Sequence, residues 1–267
     1  MPLHHGEKSL HLLAEIGSEG LSLLYYATSP TSIEGWVNYQ FEINMPASEM
    51  ATELNQLLGK ETLPEFNSCH IFFNFKECML VPDQYFNETA TASMLDCKFG
   101  AQPTDAIFSE PVDGMNAMNV YRVNDYIYNI LNSRFLSAVF YHSHTLLVPF
   151  LLRQQQELFC TIYQHSIRVF LFRDDTLQLV QYFDYGTPSD VAYHLINTCT
   201  QHQLSASEIK LTLTGFIDKD SNLYEELYRY FLNIQIAESG EAALPGEEGD
   251  MPAHFYSHLI SLVQCVS

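Results

Sequence analysis

Phosphate chemistry asks two things of a short turn: glycines, so that backbone amides come close to the oxyanion, and a carboxylate that holds magnesium or orients water. The run Glu15-Ile16-Gly17-Ser18-Glu19-Gly20 offers both. Gly17 and Gly20 bracket the turn around Ser18, and Glu15 stands where such turns carry aspartate, one methylene longer. Thr161-Ile162-Tyr163, which opens the second half in the same strand pattern, lacks a carboxylate and puts a phenol where a phosphate needs bare backbone. A third stretch keeps Gly215 after a strand, but Phe216 follows it and takes the space that a flat adenine would fill. Glu15, Gly17, Ser18, Thr161, Tyr163, Gly215 and Phe216 are therefore read as vestigial positions of a nucleotide cleft. No residue is assigned a catalytic role and no cofactor is expected. A nucleotide held between the halves would need both turns, and only one is partly intact.

Other residue patterns are weaker. Asp184-Tyr185-Gly186-Thr187 resembles a transplanted phosphate turn, yet it follows the third strand of its half, and Asp190 already occupies the positive end of the next helix. It is read as a helix entry. His254 and His258 are spaced four apart in a final helix, without the glutamate of a His-Glu-x-x-His zinc site. His142 and His144 are placed on one strand face, with no cysteine or carboxylate pattern beside them, so no metal is expected. Ser143 between them lacks the glycines of a nucleophile elbow. The six cysteines show no Cys-x-x-Cys spacing, and the N-terminal MPLHHGEKS has no apolar signal core. A reducing, cytoplasmic setting is expected.

Three Phe/Val/Leu/Ile/Tyr-rich runs at FCTIYQHS, IRVFLFRDD and LQLVQYFDY predict an antiparallel meander. Thr187 and Pro188 then start a helix with Val191, Leu195 and Cys199 on one stripe. A strand at IKLTLTG, a helix carrying Leu223, Leu227 and Phe231, a short strand NIQIA, an acidic loop at 238–250 and a closing helix with Phe255 and Leu259 follow. The first half opens alike, with strands at SLHLLAEI, GLSLLYYA and GWVNYQFEI, a helix carrying Met50, Leu54 and Leu58, and a fourth strand CHIFFNF. Two strands around AIFSEPVDGMNAMNVYRV, a helix from Asn124 and a strand at SAVFYHS complete it, with PFLLRQQQ as a spacer. The expected fold is mixed α/β: a duplicated ribonuclease-H-like, actin-like arrangement in two lobes, residues 1–150 and 151–267. The acidic loop is expected to be solvated and mobile.

Over nearly its whole length the chain resembles a family of bacterial proteins known from Bacteroidetes, with function unassigned, that look like actin-like ATPase folds. The residues carrying the resemblance are FFNFKECMLVPDQYF in the first half, with VQYFDYGTPSDVAYHLINTCTQHQL and KLTLTGFIDKDSNLYEELYRYFLNI in the second. It implies the fold and leaves the function open. Its nearest functional analogy is to pilus and secretion scaffolds of this fold, which bind other proteins.

With 12 Lys+Arg against 32 Asp+Glu, a formal charge of −20, the chain repels phosphate backbones and anionic lipid surfaces. Nucleic acid is excluded as a partner. The longest apolar run, around residues 136–153, is broken by histidines and proline and is too short to insert into a membrane. The leading reading is a non-catalytic protein acting through protein contacts, as a homodimer or with an unidentified partner. The alternative is an ATP-dependent phosphotransferase or ATPase with degenerate motifs.

Overall fold

The computed structural model describes residues 9–28, 31–60, 63–102, 104–237 and 253–266. The expected acidic loop falls outside them. The chain forms two compact units, the first running through Leu146 and the second beginning at Leu147.

In the first unit, β1 (Leu10–Gly17), β2 (Gly20–Thr28) and β3 (Thr31–Gln40) form the meander. Strand β4 (Ser68–Asn74) returns parallel to β1 through helix α1 (Ala47–Lys60), and β8 (Val139–His142) lies parallel to β4. The sheet order is β3-β2-β1-β4-β8. The third strand was expected at 35–43 and instead begins at Thr31, because a bulge at Glu34 lets Ile33 pair with Tyr26 while Gly35 pairs with Tyr25. Between β4 and β8 the chain inserts β5 (Cys78–Pro82), β6 (Asp105–Val112) and β7 (Ala117–Asn124), which form a second, three-stranded sheet in the order β5-β7-β6. Helices α2 (Thr91–Phe99) and α3 (Asp125–Arg134) accompany it.

Arg122 of β7 pins this insertion. Its buried guanidinium meets Glu77 at 2.6 Å, Asp96 of α2 at 3.0 Å and Asp105 of β6 at 3.6 Å, and donates to Gly100 O at 2.8 Å. One cation thus gathers three carboxylates from three segments.

Helix α4 (Ser143–Arg153) carries the chain onward with Pro149 inside it. It replaces the expected spacer. Its buried Leu147, Val148 and Leu151 recur at helical spacing, and that stripe outweighs the proline penalty.

The second unit repeats the plan. β9 (Leu158–Ile162), β10 (Ser166–Arg173) and β11 (Thr176–Asp184) form the meander, and β12 (Leu211–Gly215) and β13 (Ile234–Ile236) add parallel strands in the order β11-β10-β9-β12-β13. Helix α5 (Pro188–Gln201) starts in a capping box: Thr187 accepts from Asp190 N, and Asp190 Oδ2 accepts from Thr187 N at 2.8 Å and Gly186 N at 3.0 Å. Val191, Ala192, Leu195 and Cys199 face the core, and α6 (Asn222–Tyr228) and α7 (Ser257–Val266) complete the unit. The fold is the duplicated mixed α/β arrangement expected: two five-stranded sheets, each a three-stranded meander extended by two parallel strands.

Candidate functional site

Each proposed nucleotide position has a definite structural setting within its own unit. Glu15 is buried on β1 opposite Ser22, and Ser18 lies in the tight β1–β2 turn. A Cβ on Gly17 would stand 2.9 Å from Asn74 O of β4, and one on Gly20 would stand 2.2 Å from Tyr39 O of β3. Strand packing alone therefore demands both glycines.

In the second unit the structure brings the four remaining positions together at the ends of β9 and β12. Thr214 pairs with Thr161, and Gly215 with Ile162. Thr161 is fully buried. Tyr163 N donates to Ser166 O at 2.9 Å and closes the hairpin, while the tyrosine ring lies 5.5 Å from the Arg168 guanidinium and 5.8 Å from the His258 ring. Gly215 has φ +86°, and a Cβ there would sit 2.2 Å from Ile162 O, so the glycine is required by the approach of β9. Phe216 N donates to that same carbonyl at 2.8 Å, and the Phe216 ring packs edge-on against Phe255 at 5.7 Å.

The expected histidine pairs are both revised. His254 lies in a short 3-10 segment, Ala253–Phe255, with its Nε2 against Ile217 O, whereas His258 belongs to α7, so they do not share a helix face. His142 ends β8, and His144 sits in the first turn of α4 rather than on the same strand. Ser143 already starts the helix, which the apolar stripe beyond it favours over a longer strand.

His142 and His144 do have a cysteine and a carboxylate beside them, both from distant sequence. Cys78, the first residue of β5, places Sγ 3.3 Å from His144 Nδ1. The pairing of β5 with β7 and of β4 with β8, with Cys78 opposite Tyr121 and Phe73 opposite His142, carries these residues into one pocket of side chains. His142 Nε2 donates to Phe75 O at 3.1 Å, and its Nδ1 accepts from His144 N at 3.2 Å. Glu110 of β6 accepts from His142 N at 3.1 Å and from the hydroxyls of Thr145 and Tyr121. Burial pushes the Glu110 carboxyl above the usual glutamate range, opposed by the bonds from Thr145, Tyr121 and His142 N. Asn119, fully buried, donates to Thr145 Oγ1 at 3.0 Å, and Ser143 Oγ donates to Asn74 Oδ1 at 3.4 Å. This is the most concentrated group of buried polar side chains among the described residues of the first unit. It lies at the carboxyl ends of two parallel strands, where α/β sheets place their ligands.

Three solved structures share the fold. A Bacteroides thetaiotaomicron protein described as having an actin-like ATPase fold and unknown function matches at TM-score 0.78 and 15% identity over 99% of both chains. The PilM-PilN type IV pilus biogenesis complex matches at 0.64 and 13%, covering 98% of this chain and 99% of that one. The ethanolamine utilization protein EutJ from Carboxydothermus hydrogenoformans matches at 0.55 and 7%, covering 97% and 90%. At these identities the likeness is one of fold. No curated protein matches the chain. The family described as protein of unknown function (DUF3822) matches residues 4–234, and the chain belongs to that family.

Proposed function

We propose that this protein is a non-catalytic, cytoplasmic member of the actin-like fold class that works by binding another protein, either a second copy or an unidentified partner. The observation that carries the reading is the β9–β10 hairpin. A phosphate-binding turn must leave its amides open to an anion, whereas Tyr163 N here donates to Ser166 O at 2.9 Å and the Tyr163 ring is packed between Arg168 and His258. Thr161 supplies no carboxylate at this hairpin, and Phe216 is engaged with Phe255. PilM, a structural neighbour, is seen in complex with PilN. Exposed Tyr228, Tyr230 and Leu232, within five residues of one another at the end of α6, add the aromatic and aliphatic surface that protein contacts use. No helix among the described residues is long and apolar enough to cross a membrane.

The competing reading, an ATPase or phosphotransferase, rests on Glu15, whose carboxylate is buried on β1. Calorimetric titration with magnesium and ATP, run beside a phosphate-release assay on the protein and on Glu15→Ala, separates the two. The expected result is no saturable binding in the micromolar range and no turnover above background. Micromolar binding, or turnover abolished by Glu15→Ala, would overturn the scaffold reading.

A further inference from the structure

Cys78, His142 and His144 are all buried, and their candidate ligating atoms lie within 4.8 Å of one another. Thiol and imidazole together are the donor set that zinc selects over magnesium or calcium. The Sγ–Nδ1 separation of 3.3 Å between Cys78 and His144 is close to the edge of a zinc tetrahedron, about 3.5 Å for Zn–S and Zn–N bonds of ordinary length. His142 is oriented in the way that metal-bound histidines are. Its Nε2–H is directed to the Phe75 carbonyl, which fixes the tautomer with the lone pair on Nδ1, where a metal would replace the hydrogen bond that Nδ1 accepts from His144 N at 3.2 Å. The Glu110 carboxyl in turn holds His142 N and the Thr145 hydroxyl, so the residues on both sides of Ser143 are anchored where β8 turns into α4.

We propose that Cys78, His142 and His144 form a three-ligand zinc site that ties β5 to the junction of β8 and α4. The cysteine binds as thiolate, releasing its proton to solvent, and both histidines bind through Nδ1. A water molecule takes the fourth position. Because the ligands are buried, metal enters during folding rather than by diffusion into the finished unit. The site is independent of the nucleotide question, since it involves none of the residues proposed for the cleft.

The test uses the full chain. Protein purified from zinc-supplemented cells is dialysed and its metal content measured, and a second sample is unfolded, stripped with chelator and refolded with cobalt(II). Expected are about one zinc per chain, a thiolate-to-cobalt charge-transfer band, and the intense visible absorption of tetrahedral cobalt. Cys78→Ser abolishes the charge-transfer band, and Cys97→Ser, at an exposed cysteine, keeps it. His144→Ala weakens zinc at least about tenfold in competition with a chromophoric chelator. Background zinc in folded wild type together with no thiolate–cobalt band would overturn the proposal. Zinc and the band persisting in Cys78→Ser would also overturn it, and would assign the metal elsewhere, for instance to the N-terminal His4 and His5. Should Cys78→Ser fail to fold, the wild-type stoichiometry and cobalt spectrum decide alone.

Discussion

Gly215→Ala is expected to destabilise the protein by roughly 3–5 kcal/mol, among the larger effects a single methyl group can have. Two causes add. At φ +86° an L side chain is strained by itself, and the new Cβ would meet Ile162 O at 2.2 Å. That atom is backbone, held by the bond from Phe216 N and by the parallel pairing of Gly215 with Ile162, so it cannot swing aside as a flexible side chain would. Relief requires β9 and β12 to separate at the centre of their sheet. Gly59→Ala provides the opposite sign: a methyl group added at this exposed α1 glycine would meet nothing within 4 Å, so the same change is expected to stabilise by about 0.5 kcal/mol through helix propensity and chain entropy. Urea unfolding of the two variants measures the contrast. Similar small effects from both would refute the close approach of β9 and β12.

Arg122→Met should cost about 3 kcal/mol at neutral pH, lowering the melting temperature by on the order of 10 °C. The methionine keeps much of the aliphatic packing and removes the cation. Asp105, mostly buried, is then left facing Glu77 without its counterion, while Asp96 and Glu77 retain partial hydration. The pH dependence has a definite sign. Burial already raises the Asp105 carboxyl above its ordinary value, and Arg122 is one of the groups pulling it back down. Without Arg122 it rises further, and a raised carboxyl contributes stability below its unfolded value that is lost as pH climbs through its folded one. The deficit of the variant is therefore greatest at neutral pH and shrinks in acid below the ordinary aspartate range. Paired urea curves at neutral and acidic pH check this. A deficit that does not change with pH would assign the loss to packing rather than to charge.

Regular elements are legible in the sequence wherever one periodicity dominates. The meanders show as alternating and continuous apolar runs, and α5 shows in Thr187, Pro188 and the Val191, Leu195, Cys199 stripe, because local chemistry and burial there agree. Helix α2 escapes a reading of the sequence since Leu95 is its only fully buried large apolar side chain, leaving almost no stripe to detect. Helix α4 escapes it because Pro149 and His144 mask a stripe that does exist. Gly17, Gly20 and Gly215 each have a steric reason in strand packing that sequence cannot distinguish from ligand binding. The cysteine–histidine group is not legible at all. Cys78 and His144 are sixty-six positions apart, and only the register of two separate sheets brings them together.

The insertion between β4 and β8 also bears on the order in which the first unit assembles. Ser143 and Asn74, at the adjoining ends of those strands, are sixty-nine positions apart, so pairing them directly would close a long loop against its entropy before any contact rewards it. The β5-β7-β6 sheet consists of antiparallel pairings, and the β6–β7 hairpin is local enough to form early. Once that sheet has gathered its segment of chain, the distance left for β8 to search is much shorter. Loop-closure entropy thus leads us to expect the insertion to form first and the outermost parallel strand of the main sheet to be laid down last, an order that pulsed hydrogen exchange during refolding would check.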